Sequence, residues 1–179
     1  MSYSIYKLQN MIEIMDEKKL RSLLKTFKCS AEPSAEHFLN NIAVRHEKAD
    51  ISRTYIALEA NSSDEKRIKG FFTLAIKCLS VNEPFSVSTE IFEQMNVNRD
   101  VAQAYLLGQL AKADDIEKGF GKVMIKRALG IFTTGKEMFG CKVVRLDCKD
   151  SMIGYYESLG FIFVRKNIDN TLNQMIAII

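Results

Sequence analysis

The residues whose types and spacing could do chemistry gather first between positions 105 and 122. An apolar run, Tyr105-Leu-Leu-Gly-Gln-Leu-Ala-Lys112, leads into Asp114-Asp-Ile-Glu-Lys-Gly-Phe-Gly-Lys122. Gly119 and Gly121 let the backbone approach a ligand closely and turn its N–H groups outward. A helix predicted from about Gly121 presents partial positive charge at its N-terminus. Lys118, Lys122, Lys126 and Arg127 add full charges, so the chemistry offered is recognition of a phosphate or pyrophosphate. Alone, a glycine turn entering a lysine-bearing helix is more often an ordinary exposed turn. The P-loop pattern is absent, and so is the third glycine of a dinucleotide-binding fingerprint.

A second group is Tyr155-Tyr156-Glu157-Ser158-Leu159-Gly160-Phe161, preceded by Val143-Val-Arg-Leu-Asp-Cys148. A tyrosine hydroxyl with its ordinary pKa near ~10 stays protonated at neutral pH and can donate a proton to a leaving group. Two tyrosines on a short helix are also ordinary packing residues. They point about 100° apart, so they cannot face one ligand equally, and spacing alone does not choose between them. Cys148 at a strand end reads as a buried structural thiol, with no histidine near it in sequence.

The elements that must position these residues follow from periodicity. Leu20, Leu23, Leu24 and Phe27 give a helix over 16–27. Ser34 reads as the N-cap of a second helix with Phe38, Leu39, Ile42 and Ala43 on one face. Arg53 to Glu59 and Ile68 to Val81 read as paired strands, with a hairpin loop over Asn61 to Arg67. Residues 88–95 give a short helix and 102–112 a buried central strand. Residues 121–139 give a long amphipathic helix with Val123, Met124, Ala128, Ile131 and Phe132 on its apolar face. A strand over 142–148 follows, then a helix over 152–159 capped by Ser151 and ended at Gly160, then strands over 161–166 and 174–179. The order predicts an α/β fold with a mixed sheet and one domain over 1–179. The predicted core includes Phe38, Leu39, Ile42, Leu146, Phe161 and Phe163.

Composition bounds the function. The chain has 179 residues, 47% hydrophobic and 26% charged, with a net charge of +3. That charge neither demands nor excludes a nucleic-acid partner. The cysteines Cys29, Cys78, Cys141 and Cys148 form no CxxC pair, and the histidines are His37 and His46 alone, so no metal site is expected. The first residues form no long apolar run and no stretch reaches the ~18 apolar residues of a membrane span. Scattered thiols without an export signal lead to the expectation of a cytoplasmic protein.

In order and separation, the glycine loop and the tyrosine segment resemble the GNAT acetyltransferase family. The likeness covers roughly residues 55–179 and is strongest over 106–161. It implies a central twisted mixed sheet flanked by helices, with acetyl-CoA as co-substrate and a primary amine as acceptor. The backbone of Leu110, Ala111 and Lys112 would bond the pantetheine arm. Lys118, Gly119, Phe120, Gly121 and Lys122 would wrap the pyrophosphate. Tyr156 matches the second aromatic of the family's Phe-Tyr-x-x-x-Gly-Phe pattern and would aim its hydroxyl at the thioester sulfur. An N–H near Leu110 or Lys112 would stabilise the oxyanion formed by direct attack.

The chain departs from the pattern in two places. Ile116 stands where the family usually has Gln or Arg, and Glu117 where it usually has a small residue. Glu117 is electrostatically unhelpful beside a pyrophosphate unless it points away. The central strand has no glutamate to serve as general base, and Asp147 and Glu157 are the nearest alternatives. A missing base suits an acceptor of low amine pKa, such as an α-amine near ~7.8.

Phe27-Lys-Cys29, Phe38-Leu39, Arg53-Thr-Tyr-Ile-Ala-Leu58, Ile68-Lys-Gly-Phe-Phe-Thr-Leu74 and Leu107-Gly-Gln-Leu-Ala111 look like the toxin-type members. That likeness implies acetylation of aminoacyl-tRNA and silencing by a small antitoxin protein. A generic amine acetyltransferase stands ahead of that reading, and a diverged CoA-binding domain without turnover stands beside it. A homodimer is one assembly these readings allow.

Overall fold

The computed structural model describes residues 3–59, 67–81 and 85–179. The expected hairpin loop lies almost wholly outside the described residues. The elements run β1 (Tyr3–Lys7), α1 (Leu8–Ile14), α2 (Glu17–Lys25), α3 (Pro33–His37), a π turn (Phe38–Ile42), α4 (Ala43–Lys48), β2 (Arg53–Glu59), β3 (Ile68–Ser80), α5 (Thr89–Gln94), β4 (Val101–Lys112), α6 (Phe120–Phe139), β5 (Val143–Cys148), a 3₁₀ turn (Asp150–Met152), α7 (Ile153–Glu157), β6 (Ile162–Lys166) and β7 (Asn173–Ile178). The strands form one seven-stranded sheet in the order β1-β2-β3-β4-β5-β7-β6. β1 and β2, β2 and β3, β5 and β7, and β6 and β7 pair antiparallel, whereas β4 and β5 pair in parallel. The mixed α/β fold with helices around a central sheet is as expected.

The chain divides into two compact units. The first holds residues up to 75 together with 109–125. Its core is built from Leu8, Met11, Leu20, Leu24, Phe27, Leu39, Ile56, Phe71, Phe72 and Met124, all buried. Each such side chain contributes about 1.5–3 kcal/mol of burial relative to exposure. Phe27 meets Phe71 edge-on at 5.4 Å, and Phe38 stacks parallel on the same ring at 6.2 Å.

α2 starts where Asp16 accepts the N–H groups of Lys18 and Lys19, as an N-cap carboxylate should. The next helix departs from expectation: Pro33 occupies its first turn and Glu32 its N-cap position, so Ser34 is inside the helix. Proline suits that place because it has no N–H to leave unpaired. β1 and α1 were not predicted.

β2 and β3 hold an irregularity that matters for the site. Ala57 pairs with Gly70, but the next residue, Leu58, pairs with Ile68. Lys69 is therefore the extra residue of a bulge, and a bulge re-aims the side chain it carries. Beside it, Gly70 is required by close approach. A Cβ there would sit 2.7 Å from the Ala111 carbonyl oxygen and 2.8 Å from the Met124 sulfur.

The second unit holds residues 76–108 and 126–179. Its core joins Leu79, Met95, Ala102, Ala104, Val143, Val164 and Ile176. Tyr105 stacks on Phe132 at 4.8 Å and donates its hydroxyl to the Gly140 carbonyl at 2.9 Å. β4 and β5 pair from Ala104 with Val143 to Leu106 with Arg145.

Of the predicted core, Phe38, Leu39, Leu146 and Phe161 are buried. Ile42 and Phe163 are only half-buried, and Val123, assigned to the apolar face of α6, is exposed at 38%. No described helix is long and apolar enough to cross a membrane.

Candidate active site

The glycine loop belongs to the first unit. Along β4 the Gln109 N–H donates to the Thr73 hydroxyl at 2.8 Å, and past its end the Ala113 N–H donates to the Lys69 carbonyl at 2.9 Å. Both bonds run to β3. Backbone groups alternate between the two edges of a strand, so the N–H and C=O groups of Leu110 and Lys112 face the other edge. Ala111, buried between them, turns its carbonyl towards β3.

The chain then makes a tight loop. Ile116 N–H bonds the Ala113 carbonyl at 3.2 Å, and the Lys112 ammonium donates to the Ile116 carbonyl at 2.6 Å. Ile116 itself is buried, 7% exposed. The departure at this position is thus a core contact of the loop.

α6 begins at Phe120, one residue before the expected start. Lys122 and Val123 return their N–H groups to the Gly119 carbonyl. The N–H groups before them have no partner within the helix. Gly119 has φ +96°, a conformation that side chains rarely adopt, and the space a Cβ would take there is open. Lys118, Lys122, Lys126 and Arg127 are all exposed around this start, Gly121 is half-buried, and Phe120 is buried. Phe120 anchors the turn by meeting Tyr3 edge-on at 5.2 Å. A helix start with open amides, a glycine-lined gap and the exposed Lys118 and Lys122 fits a pyrophosphate.

The acidic residues of the loop are each engaged. Asp114 accepts the Ser30 N–H and hydroxyl, both at 2.7 Å, and these bonds hold its carboxyl below the usual carboxylate range. Asp115 pairs with Arg67. Glu117 lies 4.0 Å from the ammonium of Lys69, whose side chain is only 1% exposed. Sequence reading passed over Lys69. It lies in a stretch of β3 that is buried on both faces from Ile68 to Leu74, at the register shift opposite Ala57 and Leu58.

The tyrosine turn belongs to the second unit. The expected Ser151 cap is replaced by a 3₁₀ turn, Asp150–Met152, which leads directly into α7. Asp150 anchors that turn, accepting Asn173 at 2.7 Å and Lys166 at 3.1 Å, and these partners hold its carboxyl low. At the other end Gly160 has φ +86°, and Phe161 N–H reaches back to the Tyr156 carbonyl at 3.1 Å. This is the glycine-ended closure expected from the sequence.

Tyr156 is 9% exposed, with its ring edge-on to Tyr155 at 5.2 Å and to Phe161 at 5.8 Å. Burial, with Cys148 and Tyr155 adding to it, pushes its hydroxyl up to about 12. Tyr155 is half-buried and its hydroxyl is raised by burial alone. Cys148 is buried against Met175, its sulfur 3.4 Å from that thioether, and its thiol is pushed up by burial and by Asp147 and Asp150. A thiol so placed is inert as a nucleophile. Asp147 receives both donors of Arg145, at 3.1 and 3.0 Å, and Glu157 is exposed. Neither carboxylate is set up as a base by its surroundings.

One further feature of the first unit was not foreseen. A cavity of about 500 Å³ beside the π turn is lined by Arg21, Asn40, Asn41, Val44, Arg45, Lys48 and Ala49. Glu17 pairs with two of its cations, Arg21 at 2.8 Å and Lys48 at 3.6 Å, and one carboxylate against Arg21, Arg45 and Lys48 leaves the lining net positive. A π turn adds a residue to the helical repeat and often marks functional positions. Among the described residues no group of His, Cys, Asp or Glu could hold a metal ion.

No family model matches the sequence, and no curated protein matches it. Solved structures do. AtaT in complex with acetyl-methionyl-tRNAfMet is 20% identical, with 96% of this chain and 94% of that chain covered and a TM-score of 0.75. A tyrosine-to-phenylalanine mutant of KacT is 17% identical, with coverage of 97% and 94% and a TM-score of 0.74. AtaTR bound with acetyl-CoA is 20% identical, with coverage of 97% and 92% and a TM-score of 0.70. At these identities the likeness shows the fold alone, the one that AtaT and KacT share.

Proposed function

We propose that this chain is an acetyl-CoA-dependent N-acetyltransferase that acts by direct attack of a neutral amine on the thioester. The observation that carries the reading is the open run of polar backbone groups. The free-edge groups of Leu110 and Lys112 lead through the loop to the amides at Gly119–Gly121. A ligand with an extended amide arm and a pyrophosphate at its far end satisfies both.

In this reading Leu110, Ala111 and Lys112 hold the pantetheine arm, and Lys118, Gly119, Phe120, Gly121 and Lys122 hold the pyrophosphate. Acetyl-CoA supplies the activated acetyl group. The N–H of Leu110 or Lys112 stabilises the oxyanion. Tyr156 is the donor to the departing sulfur. A hydroxyl at about 12 does not give its proton up fully to a sulfur whose thiol lies near ~8.5. It lowers the barrier as a hydrogen-bond donor that never ionises, and the thiol's proton comes ultimately from the acylated ammonium.

The acceptor is read as an α-amine. No carboxylate in the tyrosine turn is arranged as a base, so an amine already partly neutral at pH 7 is favoured. Aminoacyl-tRNA carries such an amine, and AtaT was solved with acetyl-methionyl-tRNAfMet. The basic cavity around Arg21, Arg45 and Lys48 suits nucleic-acid phosphates. With that acceptor come a small antitoxin partner, since AtaT was also solved bound to the C-terminus of the antitoxin AtaR, together with a single functional domain over 1–179, a homodimer and a cytoplasmic location.

The test is release of CoA from acetyl-CoA with a panel of free amines, amino acids and aminoacyl-tRNAs. Turnover with aminoacyl-tRNA above the hydrolytic background is expected. Binding of CoA without turnover on any acceptor would instead fit a non-catalytic domain.

A further inference from the structure

Among the described residues of the first unit Lys69 is the most deeply buried charge, 0% exposed as a residue. An ammonium out of water is costly unless it is paired and its donors are engaged. β3 is buried on both faces from Ile68 to Leu74, and the register shift opposite Ala57 and Leu58 falls at Lys69. Its Nζ lies 5.4 Å from the centroid of the Phe120 ring, the first residue of α6. It also lies 4.0 Å from Glu117, two residues before Gly119. Its carbonyl accepts the Ala113 N–H, which ties the same residue to the start of the loop. One residue therefore reaches both ends of the stretch from 113 to 120, by its backbone carbonyl at the first and its side chain at the second.

The charges of that stretch explain the need. From Lys112 to Lys122 the chain carries Asp114, Asp115 and Glu117 against Lys112, Lys118 and Lys122. Asp114 is held by Ser30 and Asp115 by Arg67. Glu117 is nearest the open amides and is 54% exposed at its side chain. Left alone, it would repel an anion arriving at Gly119–Gly121.

We infer that Lys69 is a positioning residue for the phosphate loop: its buried ammonium draws Glu117 back and seats Phe120, so that the start of α6 presents positive rather than negative charge. The inference rests on reading residues 118–122 as the pyrophosphate site and explains how that site tolerates an acidic residue.

The experiment is calorimetric titration of CoA into the wild-type chain, Lys69→Met, Glu117→Gln and the double variant. Lys69→Met keeps an unbranched side chain one heavy atom shorter and removes the charge. CoA affinity in Lys69→Met should fall about tenfold, and Glu117→Gln in the same chain should restore most of it. A purely structural lysine gives a different pattern, because the double variant then binds as weakly as Lys69→Met.

If Lys69→Met does not fold, Glu117→Gln alone decides. Removing one negative charge near the phosphates should tighten binding about threefold, and unchanged affinity overturns the inference. Wild-type affinity in Lys69→Met also overturns it while leaving the phosphate site standing. A wild-type chain that does not bind CoA removes both.

Discussion

In the glycine loop Lys118, Gly119 and Lys122 are exposed, and what they offer a ligand is backbone amide and mobile charge. In the tyrosine turn the group of interest is one hydroxyl on a ring that is 9% exposed. On the proposed function, the loop tolerates exposure because phosphate recognition sums many weak, charge-assisted contacts. On the same proposal the turn is served by burial, because a donor to a sulfur works through its position and must keep its proton. Affinity should therefore be a property of the loop and turnover a property of the turn. Substitutions should separate the two.

The largest expected effect is at Tyr156. Tyr156→Phe keeps the ring against Phe161 and removes the hydroxyl, so kcat should fall by ~10²-fold or more while CoA affinity stays nearly unchanged. Tyr155→Phe should be close to silent. Steady-state kinetics beside calorimetry read both quantities, and wild-type turnover in Tyr156→Phe would remove this tyrosine from the chemistry.

The converse change is at the loop. Gly121→Asp adds a side chain and a negative charge at the open amides. CoA affinity should drop by about tenfold, the scale of one charge-assisted contact, with the fold retained by circular dichroism. Unchanged affinity in a folded variant would place the phosphates elsewhere.

The smallest effect expected is a flat one. Because burial raises the Tyr156 pKa, the donor form persists until pH approaches about 12. The rate should then rise with pH through the acceptor's amine pKa and stay level to about pH 10, with no falling limb from the tyrosine. A limb between about pH 8 and 10 that vanishes in Tyr156→Phe would mean the hydroxyl ionises in the working enzyme.

The sequence exposed the parts of this molecule that follow a period. α2, β2, β4, α6 and β5 announce themselves because their buried positions recur at helical or strand spacing, and Gly119, Gly160 and Tyr156 stand at the ends of such elements. β1 stayed hidden because it is a five-residue edge strand with no fully buried residue, and the alternation of half-buried Tyr3 and Ile5 with exposed Ser4 and Tyr6 is too short to stand out. α1 buries only Leu8 and Met11, too few to show a stripe. The π turn at Phe38–Ile42 and the bulge at Lys69 each insert one residue into a repeat, and pattern reading treats the repeat as unbroken. Nothing in the local sequence marks Lys69 as buried. Its true surroundings depend on which residue of β2 faces Gly70, a long-range pairing that no local window contains.

Gly70 limits how this lineage can drift. The sulfur of Met124 beside it sits on a flexible side chain and could swing aside, but the Ala111 carbonyl is part of the main chain of β4 and cannot. Smaller residues at 124 therefore cannot make room for alanine at 70. No change at a single neighbouring codon compensates. Descendants that keep this strand pairing should be free to exchange Met124 for other apolar residues and remain fixed at glycine in position 70.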